Sequence, residues 1–180
     1  MRLFIGILFP EEVLDQIMEV SSRLKAISTK GNFTYRENLH LTLVFLGEVD
    51  PHRIEDIQAC MEGIKWAPFT LELDGLGRFP RKDGDIYWIG IRKSQDLLQL
   101  QNSLSHSLQQ GGFAMEDRPY KPHLTLGRRV RVPNHFDMDA LSQEVPQIKV
   151  EVDGIHLMHS HRVEGRLTYS PLKMVAANLK

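Results

Sequence analysis

The hydrophobic residues of this chain change their spacing several times, and each change predicts a boundary between elements. Apolar residues fill Leu3 to Phe9, which predicts a buried strand, and then recur at helical spacing up to about Ala26. Pro10 suits the first position of that helix. The same criteria predict further strands at 33–36, 39–46, 69–74, 86–91, 122–128, 148–157 and 167–175. Further helices are predicted after Asp50, after Ser94 and at 137–143, with loops at 28–32, 128–134 and 158–165.

One four-residue pattern occurs twice, as His40-Leu41-Thr42-Leu43 and as His123-Leu124-Thr125-Leu126. Both copies alternate as half-buried strands do, and residues i and i+2 of a strand point to the same face. Each copy therefore places an imidazole beside a hydroxyl on one face and directs two leucines towards a core. If the two strands face a common cleft, two histidines and two threonines converge on one substrate.

The order of the predicted elements favours an α+β protein. Strands and helices do not alternate regularly enough for a parallel doubly wound sheet, whereas antiparallel sheets with helices on their outer side accommodate this order. The repeated pattern predicts two pseudo-symmetric lobes. Because no low-complexity segment or linker divides the chain, we expect residues 1–180 to form a single bilobal domain.

Composition narrows the function classes. The chain has 22 Lys and Arg against 23 Asp and Glu, so no global basic field is available to hold a long polynucleotide, although a local patch suffices for an RNA end. The single cysteine, Cys60, fits a reducing compartment. We find no signal peptide and no run of the roughly 20 apolar residues that a membrane helix needs. We therefore expect a cytoplasmic protein without a membrane partner.

The residue types of the repeated pattern suit hydrolysis of a phosphodiester. An unperturbed imidazole has a pKa of about 6.5, so one histidine can be neutral while another is protonated near neutral pH. Such a pair divides the roles of base for water and acid for the leaving oxygen, each worth about 10²–10⁴-fold in rate. Threonine hydroxyls supply neutral donors for phosphate oxygens. The two copies are nearly equivalent, so the pattern alone does not tell which histidine is the acid.

Three longer segments resemble a known family: Glu37–Glu48 (ENLHLTLVFLGE), Gly77–Pro80 (GRFP) and Asp117–Arg128 (DRPYKPHLTLGR). They are similar to the RNA 2′,3′-cyclic phosphodiesterases, long called 2′-5′ RNA ligases, of the two-histidine phosphoesterase superfamily. The resemblance implies a bilobal fold whose central cleft carries both His-x-Thr patterns. It also implies an enzyme without metal or cofactor that opens 2′,3′-cyclic phosphates, on RNA 3′ ends or nucleotides, to 2′-phosphates.

The resemblance further implies a role for each member of the repeated pattern. His40 is expected to be the proton donor to the leaving 3′ oxygen, and His123 the proton acceptor for water. Thr42 and Thr125 are expected to hold the phosphate. The family often has an arginine near the phosphate at the position of Arg128, although regular strand alternation points this residue away from His123.

Roles are also predicted for other aromatic residues and histidines of the chain. Tyr120, in the turn before the second pattern, is the candidate for stacking on a base, which is worth about 1–3 kcal/mol per base. Phe45 has the wrong strand parity for the cleft and is expected in the core, as is Trp88. His159 and His161 are expected in a polar turn rather than in a metal site.

Several alternatives to this function stay open. The same site can act as a 2′-5′ RNA ligase, with a 2′-hydroxyl in place of water. It can also act on a small cyclic nucleotide, or only bind RNA ends without turnover. A di-histidine metal site predicts that a chelator abolishes activity, whereas the favoured hypothesis predicts no effect. The expected oligomeric state is a monomer.

Overall fold

The computed structural model describes residues 1–179, which form nine strands and four α-helices. The strands are β1 (Arg2–Ile7), β2 (Lys30–Phe33), β3 (Leu41–Glu48), β4 (Phe69–Phe79), β5 (Asp85–Ile91), β6 (His123–Arg131), β7 (Ile148–Val152), β8 (Gly154–Val163) and β9 (Arg166–Ala176). The helices are α1 (Glu11–Ile27), α2 (Ile54–Gly63), α3 (Gln95–Gln110) and α4 (Met138–Gln143).

The strands form two antiparallel sheets. Sheet 1 has the order β3-β1-β8-β9, and sheet 2 has the order β2-β6-β5-β4-β7. Each sheet contains one copy of the repeated pattern, the first at the start of β3 and the second in β6. These two strands contact each other and bring the sheets together. The prediction of an α+β fold with two antiparallel lobes is therefore confirmed.

The helices cover the sheets with the apolar faces that their spacing predicts. In α1 the residues at helical spacing from Val13 to Leu24 are buried, and this helix contacts β2 and β7 of sheet 2. On sheet 1, α3 contacts β3 and α2 contacts β9. The predicted N-cap of α3 is confirmed, because the Ser94 hydroxyl accepts a hydrogen bond from the Leu97 N–H at 3.2 Å. No helix within residues 1–179 is long and apolar enough to cross a bilayer.

The leucines of the repeated pattern anchor both strands in the core. All four of them, Leu41, Leu43, Leu124 and Leu126, are no more than 2% exposed, as the alternation predicts. They belong to one hydrophobic cluster that takes residues from both sheets. Because these leucines are packed in the core, the histidine and threonine that alternate with them lie on the opposite face of the strand, which faces solvent.

Two predicted loops around the edge of sheet 2 are strands instead. Part of the predicted loop at 28–32 belongs to β2, an edge strand that pairs with β6, and the Thr29 N–H donates to the Arg131 carbonyl at 2.8 Å. The predicted loop at 128–134 is strand as far as Arg131. Backbone hydrogen bonds to the neighbouring strand stabilise these polar segments. Such bonds do not require hydrophobic side chains, so the sequence has no apolar pattern that would predict the strands.

The C-terminal strands also depart from the prediction. The segment 148–157 is not one strand, because Asp153 separates β7 at the edge of sheet 2 from β8 in sheet 1. The predicted polar turn at 158–165 is mostly strand, and only Glu164 and Gly165 form the turn of a long β8–β9 hairpin. This hairpin borders the cleft between the lobes.

Candidate active site

A cleft of about 550 Å³ lies between the two sheets and contains both copies of the repeated pattern. His40 and Thr42 line it from sheet 1, and His123 and Thr125 line it from sheet 2. The convergence predicted from the period-two spacing is thus present in the structure. Other cleft residues come from β1, from the segment before β3, and from the β8–β9 hairpin.

A bulge in β3 reverses the parity of the strand just after Thr42. Along β1, Ile5 pairs with Val44 and the next residue, Gly6, pairs with Thr42, so β3 has one additional residue at this point. Two successive residues of β3, Leu43 and Val44, are therefore both buried. Phe45 then returns to the cleft side, where it is 36% exposed. Its prediction as a core residue was wrong.

The second copy has the same irregularity at the same place. Tyr87 of β5 pairs with Gly127, and the next residue, Trp88, pairs with Thr125, so β6 has one additional residue here. Arg128 consequently lines the cleft together with Thr125, although regular alternation points it away. Phe45 and Arg128 each lie three residues after a threonine of the pattern. The two copies are thus equivalent in their histidines and threonines, but the position three residues after the threonine has an aromatic ring in the first copy and a cation in the second.

Each histidine is fixed through its Nδ1 atom by the backbone two residues earlier. His40 Nδ1 lies 2.7 Å from the Asn38 carbonyl oxygen, and His123 Nδ1 lies 2.7 Å from the Lys121 carbonyl oxygen. A carbonyl can only accept, so Nδ1 carries the proton in both rings. In each histidine Nε2 is therefore the atom that gains or loses a proton. Nε2 of His40 lies 2.9 Å from the Thr42 hydroxyl oxygen.

The surroundings disfavour the protonated form of both histidines. Burial lowers the pKa of His40 below its ordinary value; the Asn38 hydrogen bond opposes this, and the positive charges of Arg128 and His123 lower it further. Burial also lowers the pKa of His123, against the Lys121 hydrogen bond and together with Arg128. Because a charge on His123 lowers the pKa of His40, the site disfavours double protonation.

Aromatic rings pack against each imidazole. His40 packs against Phe4, with ring centroids 4.6 Å apart, and meets Tyr169 edge to face at 5.1 Å. His123 meets Phe79 edge to face at 5.0 Å and lies 6.2 Å from Trp88. Trp88 is therefore a half-buried neighbour of the second histidine rather than a purely core residue. These contacts join distant parts of the chain, so no local signal in the sequence indicates them.

Gly77 in the GRFP segment makes room for the tryptophan beside His123. It pairs with Trp88 across β4 and β5, and a Cβ atom at Gly77 would lie 2.0 Å from an indole carbon. Since that distance is far inside van der Waals contact, only glycine permits the indole to cover this position. Phe79 of the same segment packs against the indole with centroids 5.2 Å apart.

Asn38 connects the first histidine to the β8–β9 hairpin. Its side chain is 4% exposed; its Nδ2 donates to the Leu167 carbonyl at 2.9 Å, and its Oδ1 accepts from the Tyr169 N–H at 3.2 Å. The backbone carbonyl of the same residue holds His40. One residue therefore holds both sides of this contact, Tyr169 through its side-chain amide and His40 through its backbone carbonyl.

Tyr120 has a different position from the one predicted. Its ring packs against the hydrophobic core, it is not among the residues that line the cleft, and its hydroxyl donates to the Thr42 carbonyl at 2.9 Å. Burial raises the pKa of Tyr120, which keeps the phenol protonated as a donor. Tyr120 thus joins the loop before the second copy to the strand of the first copy.

Within residues 1–179, no group of three or more His, Cys, Asp or Glu side chains is arranged to hold a metal ion. His159 and His161 lie in β8 and not in a turn, and their rings stack with centroids 4.5 Å apart. The hydrogen bond between His161 Nε2 and the Ser170 hydroxyl, at 2.8 Å, gives this imidazole a structural partner.

The sequence is similar to that of a known family over most of its length. The family profile of the 2′-5′ RNA ligase superfamily matches residues 9–164. An RNA 2′,3′-cyclic phosphodiesterase of Thermotoga maritima is 32% identical over 163 residues, covering 89% of this chain and 87% of that protein. An RNA 2′,3′-cyclic phosphodiesterase of Escherichia coli is 31% identical over 175 residues, covering 96% of this chain and 94% of that protein.

The fold is similar to that of a solved structure over almost the entire length of both chains. The crystal structure of Escherichia coli LigT complexed with 3′-AMP superposes with a TM-score of 0.82 at 30% identity, covering 99% of this chain and 98% of that one. The structural match therefore extends over both sheets and the cleft. The chain belongs to the 2′-5′ RNA ligase superfamily, together with relatives named RNA 2′,3′-cyclic phosphodiesterase.

Proposed function

We propose that this protein hydrolyses 2′,3′-cyclic phosphates on RNA 3′ ends or nucleotides to 2′-phosphates, without a metal ion. The observation that carries the proposal is the pair of histidines in one cleft, each with Nδ1 bound to a backbone carbonyl, which leaves Nε2 as the atom that exchanges a proton. Relatives that match over most of both chains are named for this activity, and one relative is known in complex with 3′-AMP, a ribonucleotide.

The proposed reaction needs one base and one acid. His123 Nε2 accepts a proton from water while the water oxygen attacks phosphorus. The bond from phosphorus to the 3′ oxygen breaks, and His40 Nε2–H donates its proton to that oxygen, which leaves a 2′-phosphate. The assignment of donor and acceptor follows the family resemblance, because the two imidazoles are held in equivalent ways.

The charges of the site are consistent with this division of roles. The lowered pKa of His123 keeps it neutral near pH 7, as a base must be. The pKa of His40 is lowered as well, so the proposed acid takes up its proton together with the substrate. The anionic phosphate favours that proton uptake, and repulsion between two charged imidazoles limits it to one histidine.

Phosphate binding is assigned to neutral and cationic donors around the histidines. Thr42 and Thr125 lie one on each side and supply hydroxyl groups to the non-bridging oxygens. Arg128 supplies the positive charge, because the bulge in β6 places it in the cleft. A guanidinium is always charged and forms bidentate contacts with phosphate, so it also stabilises charge that develops in the transition state.

The test is hydrolysis of a nucleoside 2′,3′-cyclic phosphate in excess EDTA, with the 2′- and 3′-phosphate products resolved. We expect only the 2′-phosphate, and no effect of EDTA. His40→Ala and His123→Ala should each lower kcat by about 10²–10⁴-fold. His106→Ala, at an exposed position of α3, is the matched control and should retain full activity.

Other results would contradict specific parts of the proposal. Full activity in either active-site histidine variant would exclude the acid–base pair. A 3′-phosphate product would mean that the 2′ oxygen leaves. Loss of activity in EDTA would favour the metal-site alternative instead.

The superfamily name favours one second candidate, 2′-5′ ligation of RNA ends. In that reaction the 5′-hydroxyl of a second RNA end attacks the 2′,3′-cyclic phosphate instead of water, the bond from phosphorus to the 3′ oxygen breaks, and the same two histidines exchange the protons. Cleaved RNA halves supplied at high concentration distinguish the two activities, because only a ligase yields joined product.

A further inference from the structure

The β8–β9 hairpin extends the face of sheet 1 that holds the first histidine. Ser160 pairs with Tyr169 and Arg162 pairs with Leu167, so these four residues lie on the face where Tyr169 contacts His40. Directly opposed residues of paired strands share a face of the sheet. All four line the cleft. The hairpin therefore provides a surface that leads from His40 towards Arg162 at its tip.

Arg2 reaches the same cleft from the neighbouring strand. It lies two residues before Phe4 in β1, on the same face, and its guanidinium carbon lies 5.0 Å from the centroid of the Phe45 ring. Contact with this ring keeps the cation at the cleft without neutralising it. Arg2 and Arg162 thus add two positive charges to that of Arg128.

These three arginines have no acidic partners among the described residues. No aspartate or glutamate lines the cleft, and within residues 1–179 none of the three forms a salt bridge. Arg166, four residues beyond Arg162 in the same hairpin, is paired with Glu37. The cleft therefore holds more positive charge than one cyclic phosphodiester, which has a single negative charge, can balance.

We infer that Arg2 and Arg162 form a second phosphate subsite, which binds the phosphodiester on the 5′ side of the terminal nucleoside. This inference rests on the proposed function and specifies its substrate as an oligonucleotide end rather than a free nucleotide. Arg128 and the two threonines bind the cyclic phosphate, whereas the next phosphate lies against the hairpin and β1.

The hairpin is fixed relative to the reacting groups, as a substrate-binding surface must be. Arg166 is paired with Glu37 and lies over the Tyr35 ring, with its guanidinium carbon 3.7 Å from the ring centroid. Arg162 Nη1 donates to the Gly165 carbonyl, at 2.5 Å, within the turn. The segment that includes Glu37 continues into Asn38, whose carbonyl holds His40. The subsite and the acid histidine are thus anchored to one segment.

The test compares two substrates that end in the same nucleoside 2′,3′-cyclic phosphate, one a mononucleotide and the other a trinucleotide. We expect the unmodified protein to have a higher kcat/KM on the trinucleotide. Arg162→Gln and Arg2→Gln should each lower the ratio of trinucleotide to mononucleotide kcat/KM by about tenfold, the size of one charge-assisted contact. Arg162→Lys should restore part of the ratio.

The control is Arg131→Gln, which removes an exposed arginine outside the cleft and should leave the ratio unchanged. An unchanged ratio in both Arg2 and Arg162 variants, or an equal loss on both substrates, would overturn the second subsite. If the unmodified protein turns over neither substrate, the proposed function itself has failed.

A binding measurement tests the subsite without relying on turnover. The affinity of a fluorescent trinucleotide with a 3′-terminal phosphate is measured against salt concentration. Each neutralised phosphate of a single strand contributes a slope of about 0.7 to log K against log salt. Arg162→Gln should reduce the slope by about that amount. A slope equal to that of the unmodified protein would contradict the inference even if the enzyme proved inactive.

Discussion

Replacing Asn38 by leucine tests how a buried side chain supports the first histidine. The substitution keeps a similar volume but removes the donor to the Leu167 carbonyl and the acceptor from the Tyr169 N–H. The backbone carbonyl that holds His40 Nδ1 stays in the chain. The effect on stability therefore comes from the hairpin contacts, and the effect on activity comes from the movement of Tyr169 beside His40.

The expected magnitude follows from these two contacts. A buried hydrogen bond contributes about 1 kcal/mol net, and a buried partner left unsatisfied costs about 1–3 kcal/mol. The side chain is almost fully buried, so water does not readily replace the lost partners. We expect the free energy of unfolding to fall by about 2–4 kcal/mol. For a chain of this size each kcal/mol lowers Tm by about 2–4 °C, which gives a fall of about 5–15 °C.

Thermal unfolding followed by circular dichroism measures this change, together with kcat on a nucleoside 2′,3′-cyclic phosphate below the transition. The matched control is Asn102→Leu at an exposed position of α3, which should change Tm by no more than about 2 °C. If the Asn38 variant has the same Tm as Asn102→Leu and retains full kcat, the buried amide does not fix the hairpin relative to the active site.

Two further predictions concern the residues around the imidazoles. Arg128→Gln removes a positive charge that lowers the pKa of both His40 and His123. Both pKa values should therefore rise, and the pH optimum of kcat/KM should move to higher pH. A shift of the optimum to lower pH would refute this electrostatic role. Gly77→Ala should displace Trp88, lower the free energy of unfolding by about 1–3 kcal/mol and lower kcat. A variant with unchanged Tm and kcat would show that the indole can move without cost to stability or activity.

Much of the site was open to prediction because it depends on short-range periodicity. The alternation of His40, Leu41 and Thr42 determines which residues share a face of a strand, whatever that strand pairs with. The second copy repeats the argument, and the near symmetry of the two copies predicts two lobes. The structure confirms both the buried leucines and the shared cleft.

The bulges were beyond prediction because they are a property of paired strands and not of one strand. The doublet Leu43-Val44 is compatible with a regular strand as well as with an additional residue, and only pairing with β1 decides between them. That one-residue change places Phe45 in the cleft, and the equivalent change in β6 does the same for Arg128. At such positions the regular alternation of side chains between the two faces of a strand does not predict which face a residue is on.

Local spacing and residue chemistry suffice to predict the main helices, the α+β class and the four polar side chains of the repeated pattern, but not the polar strands at 30–33, 129–131 and 158–163. The partners that surround the four polar side chains are set by the tertiary structure. Tyr169 reaches His40 across 129 positions of the chain, and Trp88 reaches His123 from a neighbouring strand. Contacts between residues so far apart are selected by packing and strand pairing over the whole fold, and local hydrophobic periodicity does not encode them.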